Sequence, residues 1–198
     1  MAIQSTIMLN NGTVIPQVGL GVFQTPDGDT TVNAVQTALE NGYRHIDTAM
    51  IYHNEASVGE GIRRAGVPRS DFFLTTKLWN DDIRARRGKD AFQESLDRLG
   101  VDYVDLYLIH WPNPLQFRSI WKEATRGTWK AFEELYKAGR IRAIGRSLRG
   151  ARLARPRRAP GRNGAPPRHR HRHGVDLLHV RKHRPAQGRR AVPPEHGD

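Results

Sequence analysis

The chain has 198 residues, which is enough for one ordinary domain or two small ones. Its net charge of +12 lies entirely at one end: residues 1–145 carry 17 Lys+Arg and 17 Asp+Glu, whereas residues 146–198 carry 15 and 3. The second segment also contains 7 of the 12 prolines and no Phe, Trp or Tyr, so it cannot build a hydrophobic core. Cysteine is absent, which excludes disulfides and thiolate zinc sites and fits a reducing compartment.

Targeting and membrane signals are missing from the sequence. The N-terminal segment has no basic stretch followed by a long apolar one, and no run of 18 apolar residues occurs. We therefore expect a soluble, cytoplasmic protein that has no membrane partner.

Short apolar runs separated by turn signals predict the β-strands. The first two runs flank Asn10-Asn11-Gly12, an Asn-Gly turn signal that predicts a β-hairpin ahead of the main fold. The later strand candidates are residues 18–23, 45–49, 72–79, 105–111 and 141–145.

Apolar residues at helical spacing fill the stretches between these runs. Four helices are predicted, with core faces formed by Val32, Val35 and Leu39; Val58, Ile62 and Ala65; Phe92, Leu96 and Leu99; and Trp129, Phe132 and Tyr136. On the third helix, the i,i+4 spacing of Glu94 and Arg98 predicts an ion pair. Strand and helix alternate at a period of roughly 30 residues, which predicts βαβ units and a parallel sheet.

The first strand–helix junction helps to choose between two parallel architectures. A dinucleotide-binding Rossmann domain would have a third glycine there, but Gly19 and Gly21 are followed by Gln24. A (β/α)8 barrel instead places its catalytic groups at the carboxyl ends of several strands. Asp47, Lys77 and His110 each close an apolar run in this way, so the barrel is favoured.

Five segments together resemble a known family: GLGVFQ, GYRHIDTAMIYHNEASVGEGIR, TTKLW, DYVDLYLIHWP and AGRIRAIG. They make residues 1–145 similar to the aldo-keto reductases, and to the bacterial members of the 2,5-diketogluconate reductase type. The resemblance implies a TIM barrel that reduces small carbonyl substrates, aldehydes and ketones, with NADPH. We accordingly expect residues 1–145 to form the N-terminal part of such a barrel.

The same resemblance implies that Asp47, Tyr52, Lys77 and His110 form the catalytic tetrad. Reduction of a carbonyl builds negative charge on its oxygen, so an acid must supply a proton there. Tyr52 would be that acid, the Lys77 ammonium would favour its phenolate form, and Asp47 would keep Lys77 charged and oriented. His110 would donate a hydrogen bond to the carbonyl oxygen.

The remaining site residues are also implied by the resemblance. The residues expected to contact the cofactor are Gly21, Val22, Asp47 and Ser147. Those expected to contact the substrate are Phe23, Trp79, His110 and Trp111. No metal is expected.

Each of these side chains has a plainer interpretation when it is taken alone. An aspartate at a strand end commonly serves a turn, and a lone lysine is usually a solvated surface charge. Tyr52 could be a loop aromatic, His110 a core histidine, and the two tryptophans packing residues. Lys77 could also act as a Schiff-base nucleophile, although a paired aspartate disfavours this by keeping the amine protonated. The combination favours the reductase.

The sequence departs from the family pattern at residue 146. Arg146-Ser147-Leu148 stands where the family has Val-Ser-Asn, so Leu148 replaces the asparagine that holds the nicotinamide carboxamide. A complete barrel needs about 250 residues, and this chain supplies about four and a half βα units. Open strand edges predict instability, aggregation or self-association, and we expect impaired activity.

Residues 146–198 admit several interpretations. Their Arg, Pro, Ala, Gly and His content matches the product of a shifted reading frame in a GC-rich gene. They could instead be a disordered basic arm that binds nucleic acid through phosphates, but without aromatic residues for base stacking we expect no nucleic-acid partner. Metal capture by His169, His171 and His173 is disfavoured by the interleaved arginines. A solvated, disordered extension is the simplest alternative.

Overall fold

The computed structural model describes residues 5–112, 114–115 and 118–147. Its strands are β1 (Thr6–Met8), β2 (Val14–Pro16), β3 (Leu20–Gly21), β4 (His45–Asp47), β5 (Phe73–Leu78), β6 (Val104–Ile109) and β7 (Ile141–Arg146). Its α-helices are α1 (Asp29–Glu40), α2 (Glu55–Ala65), α3 (Asn80–Arg84), α4 (Gly88–Leu99) and α5 (Trp121–Lys137). Leu148 and the predictions for the basic tail lie outside the described residues.

Five of these strands form one parallel sheet in the order of the chain, β3-β4-β5-β6-β7. A Rossmann sheet reverses its strand order at a switch point, and the described sheet contains no such reversal. Helices connect the successive strands, as βαβ units require. This is part of a (β/α)8 barrel, so the predicted fold class is confirmed for the described residues.

The predicted hairpin is confirmed as β1 and β2, which pair antiparallel around the Asn10-Asn11-Gly12 turn. It lies against the sheet interior, where Leu9 and Ile15 join the side chains that alternate inward from the strands. Those inward side chains are Phe73, Leu106, Leu108 and Ala143. The Asn11 side chain donates to the Arg142 carbonyl at 2.9 Å and thereby fixes the hairpin to β7.

The other face of the sheet packs against the helices and forms the larger core. Leu74 and Tyr107 point outward from β5 and β6 to meet Phe92 of α4 and Phe132 of α5, and all four are almost fully buried. The Tyr107 ring lies 4.9 Å from that of Phe92 and 4.5 Å from that of Phe132. These contacts hold the strands in register and so position the residues at their carboxyl ends.

Helix ends follow the sequence signals closely. Gly66 and Gly100 adopt left-handed φ values of 63° and 65° directly after α2 and α4.

The predicted core face of α5 is correct for Phe132, but Tyr136 is 37% exposed. The first sheet strand is also shorter than the predicted 18–23, because only Leu20 and Gly21 form paired positions with β4 in the sheet.

The predicted pair between Glu94 and Arg98 is wrong. Arg98 Nη2 lies 2.8 Å from Glu55 Oε2, and Glu94 pairs with Arg87 instead. Glu55 is fully buried at the start of α2, where it also accepts a 2.6 Å hydrogen bond from Thr76. A buried carboxylate needs its charge partner far more than an exposed one does, so Glu55 takes the arginine.

Candidate active site

The carboxyl ends of β4, β5 and β6 bring three of the predicted catalytic side chains together. Asp47 pairs in register with Thr75, two residues before Lys77, and Lys77 pairs with Leu108, two residues before His110. Side chains two residues apart on a strand share a face, so Asp47, Lys77 and His110 all point to the sheet interior. They lie at one end of it because parallel strands end on the same side.

Lys77 is the centre of the site. It is 7% exposed, and its Nζ donates to Asp47 Oδ2 at 2.7 Å and to the Thr48 carbonyl at 2.8 Å. A third contact of 3.4 Å joins Nζ to the Tyr52 hydroxyl. An ammonium with three donors is matched by these three oxygens, which fix its orientation.

Tyr52 reaches Lys77 from the loop that follows β4. It ends a 3₁₀ turn, Met50–Tyr52, and His53 then adopts a left-handed φ of 55° before α2 begins. This geometry turns the chain sharply, so that the Tyr52 ring comes back over the strand ends. The ring packs 5.1 Å from Phe23, which follows β3, and 5.7 Å from His110.

Aromatic side chains surround the imidazole of His110. Trp79 lies edge-on at 5.2 Å from His110, and Trp111 lies 5.1 Å from Trp79. Phe23 and Trp111 are 49% and 39% exposed, so their rings form the open rim of the site. Asp47, Lys77, Tyr52 and His110 are thus gathered at one place, with apolar walls on both sides.

The residues predicted to contact a cofactor occupy different environments. Gly21 is exposed beside Asp47, and no atom lies within 4 Å of the position that a Cβ would take. Val22 is buried; its amide donates to the Asp47 carbonyl and its own carbonyl accepts from Asn54. Ser147 follows β7, where its amide donates to Ile109 at 2.9 Å. Gly21 and Ser147 therefore lie on the two outer strands of the sheet.

Sequence reasoning missed two contributors to the site. The Thr48 carbonyl holds Lys77, and a main-chain acceptor leaves no signal in a sequence. Asn54 stands where a helix N-cap is expected, but its side chain does not cap α2. Its amide instead bonds to the connection between β3 and α1.

One ionisable group lies below the site in the sheet interior. His45 precedes Asp47 by two residues on the same face of β4, is 1% exposed, and contacts Thr75 Oγ1 at 3.1 Å. Burial lowers the pKa of His45 below its usual value, and this effect outweighs the opposing attraction of Asp47. His45 is therefore neutral beneath the Asp47–Lys77 pair at neutral pH.

Two other kinds of feature are absent from the part of the chain that the structure describes. No group of three or more His, Asp or Glu side chains there is arranged to hold a metal ion. No helix there is long and apolar enough to span a membrane.

Known proteins share this arrangement over the same region. The sequence model of the aldo/keto reductase family matches residues 17–158, and so extends past residue 145, where we placed the end of the resemblance. The uncharacterized oxidoreductase YtbE of Bacillus subtilis (strain 168) is 52% identical over 147 residues, which are 72% of this chain and 50% of that protein. Glyoxal reductase of the same organism is 47% identical over 144 residues, which are 73% of this chain and 49% of that protein.

A solved structure agrees with the sequence relatives. The crystal structure of a Bombyx mori aldo-keto reductase in complex with NADP matches with a TM-score of 0.63 and 40% identity, over 73% of this chain and 51% of that one. The chain spans about half the length of the relatives that it matches.

Proposed function

The chain belongs to the aldo/keto reductase family, and we propose that it reduces small aldehydes and ketones to alcohols with NADPH, using Tyr52 as the acid. The observation that carries this proposal is the contact of Lys77 Nζ with both Asp47 and Tyr52, at 2.7 and 3.4 Å. A phenol beside a fixed ammonium is suited to give up its proton, because the positive charge stabilises the phenolate that forms.

His110 completes the chemistry that we propose. Its imidazole lies near the Tyr52 ring, so one carbonyl oxygen above the two side chains would receive a hydrogen bond from each. Aromatic walls formed by Phe23, Trp79 and Trp111 would exclude water and select small apolar or flat substrates. Glyoxal reductase among the relatives suggests that small dicarbonyl compounds belong to this range.

NADPH supplies the hydride in this family's reaction. Open space at Gly21 beside Asp47 fits the approach of a flat ring to the main chain, which a side chain there would obstruct. We propose that Gly21, Val22, Asp47 and Ser147 form this chain's cofactor-binding site, in which Val22, which is buried, supports the main chain at Gly21. Because the chain spans about half the length of its relatives, we expect weaker cofactor binding than in a full-length relative.

The hydrogen bonds of Lys77 disfavour the alternative in which it forms a Schiff base with the substrate. An amine that attacks a carbonyl must lose its proton, whereas Asp47 and the Thr48 carbonyl both accept hydrogen bonds from the protonated form. We therefore expect borohydride to trap no substrate on Lys77.

The proposal is tested by comparing the full chain with its Tyr52→Phe variant in an assay of NADPH oxidation with glyoxal. Loss of the proton donor should lower kcat/KM about 100-fold or more. Tyr43→Phe is the matched control, because Tyr43 is 38% exposed and lies just before β4, away from the strand ends that carry the site. Equal turnover in Tyr52→Phe would contradict the acid role, and an inactive parent chain beside an active control of the Bacillus subtilis glyoxal reductase would contradict the proposed activity.

A further inference from the structure

Asn54 connects three segments that meet at the site. It is fully buried directly before α2, two residues after Tyr52. Its Nδ2 donates to the carbonyls of Val22 and Thr25, both at 3.0 Å, and its Oδ1 accepts from the Thr48 hydroxyl at 3.3 Å. A single side-chain amide is therefore bonded to two other parts of the barrel.

The two carbonyls that Asn54 binds enclose Phe23. Between them the chain makes a turn in which the Thr25 amide donates to Val22 at 3.2 Å, and Gln24 adopts a left-handed φ of 62°. A non-glycine residue in that conformation is held there by its surroundings. The bonds from Asn54 on both sides of the turn supply this restraint and so orient the Phe23 ring against Tyr52.

The third bond of Asn54 leads toward Lys77. Thr48 is fully buried, its hydroxyl contacts Asn54, and its carbonyl accepts from Lys77 Nζ at 2.8 Å. The Asn54 side chain is thus bonded to Thr48, whose carbonyl accepts from Lys77, and to the turn that carries Phe23. Asn54 itself belongs to the segment that carries Tyr52.

We propose that Asn54 is a positioning residue that holds the Phe23 ring against Tyr52, and thereby fixes the wall of the candidate site that Phe23 forms beside Tyr52. The effect on catalysis rests on the proposed function. The position of the two rings can be measured without turnover. Substrates with a flat aromatic or dicarbonyl group would be the most sensitive, because they would pack against the Phe23 ring where it meets Tyr52.

The structural part is tested by ¹⁹F NMR of the full chain labelled with 3-fluorotyrosine. The Tyr52 resonance is assigned by its disappearance in Tyr52→Phe. Asn54→Ala should move this resonance in the same direction as Phe23→Ala, since both changes remove the ring contact. Ser57→Ala is the matched control: its hydroxyl bonds to Asp27 and Gly28 farther along the same connection, so it loses comparable bonds without releasing Phe23.

A second variant keeps the test decisive if Asn54→Ala does not fold. Thr48→Val preserves shape and removes only the hydroxyl that bonds to Asn54 Oδ1, so a smaller shift in the same direction is expected. An unmoved Tyr52 resonance in a folded Asn54→Ala, or in Thr48→Val where Asn54→Ala is unfolded, would overturn the proposal. A shift of equal size in Ser57→Ala would also overturn it, since the effect would then be general loosening.

The catalytic part is tested by steady-state kinetics with phenylglyoxal. Asn54→Ala should raise KM about five- to tenfold with a smaller change in kcat, as expected for lost binding in both ground and transition states. An unchanged KM together with a moved resonance would refute the effect of the Phe23 wall on substrate binding. Absence of turnover in the parent chain would count against the proposed function alone, because the NMR result does not depend on it.

Discussion

Charged side chains are almost completely buried where β4 and β5 end, whereas along the outer face of α5 they stand in solvent. The side chains of Lys77 and Asp47 are 9% and 16% exposed, while those of Lys89 and Glu134, which join α4 to α5, are 56% and 44% exposed. Both pairs consist of a lysine and a carboxylate. Water screens the second pair and is excluded from the first, so their contributions to stability should differ widely.

The outer face of α5 is also open in shape. A cavity of about 480 Å³ lies between α5 and β7, bordered by Trp129 and the cations Lys122, Arg126, Lys130 and Arg146. These cations are exposed to solvent, whereas Lys77 is bonded to three protein oxygens. This contrast indicates that the charged side chains of the candidate site are held in position more firmly than those on the outer face of α5.

The largest expected effect is a difference in stability between substitutions on the inner and outer faces of α5. Phe132 is fully buried on the inner face, so Phe132→Ala should lower the free energy of unfolding by about 4 kcal/mol through lost burial and the cavity left behind. Tyr136→Ala, on the exposed side of the same helix, should cost about 1 kcal/mol or less. Urea denaturation of both variants measures the difference, and equal costs would show that α5 is not anchored by its inner face.

The next largest effect on stability is expected when the two lysine–carboxylate ion pairs are broken. Lys77→Met leaves Asp47 charged and largely buried without its partner, which should cost about 3 kcal/mol. Lys89→Met is the matched change on the exposed pair and should cost less than about 1 kcal/mol. If thermal denaturation shows similar losses for both, the Lys77 site is more hydrated than its side-chain exposure indicates.

The third prediction concerns pH. Because burial lowers the pKa of His45 in the folded chain, the unfolded chain binds more protons between that lowered value and about 6.5. The free energy of unfolding should therefore fall as the pH drops from 7 through this window, and level off below it. Denaturation at a series of pH values should show this slope in the parent chain.

His45→Phe tests the source of that slope. The variant should flatten the dependence, whereas His53→Gln, at an exposed position, should retain it. Asp47 and Asp105 oppose the shift of His45 and Lys77 adds to it, so the experiment is run at constant salt. A slope that persists in His45→Phe would assign the effect to another group.

The smallest effect is expected at the cationic cavity. Lys130→Gln should change the free energy of unfolding by no more than about 0.5 kcal/mol, because the side chain lies in solvent at the cavity wall. The midpoint of thermal denaturation measures this. A larger loss would show that the cavity is filled by another part of the chain or by a second copy, and light scattering at two concentrations would distinguish these.

The sheet and three of the four site side chains could be predicted because their signals are local. Each strand is an apolar run, and Asp47, Lys77 and His110 are the polar residues that close three of them. The geometry of parallel strands then brings these ends together. Tyr52 was identified only through the family resemblance, since its position depends on the left-handed turn at His53.

The missed features depend on partners that are distant in sequence. Asn54 precedes a helix and resembles an N-cap, but main-chain carbonyls 29 and 32 residues away accept hydrogen bonds from its side chain instead. Arg98 has Glu94 one turn away, yet it bonds to Glu55, 43 residues away, because that carboxylate is buried. The spacing of residues within one helix therefore identifies neither the partners of Asn54 nor the partner of Arg98. The roles assigned to the tail stay predictions.

The hairpin β1–β2 is attached to β7, which among the described residues is the strand farthest from it along the chain. Asn11 and Thr13 bond to the Arg142 carbonyl, 131 and 129 residues farther along the chain. At a translation rate of about 5–20 residues per second, roughly 7–26 s pass before this partner leaves the ribosome. During that interval Leu9 and Ile15 lack their contacts with β7, so this apolar hairpin is a segment that a chaperone could protect in the nascent chain.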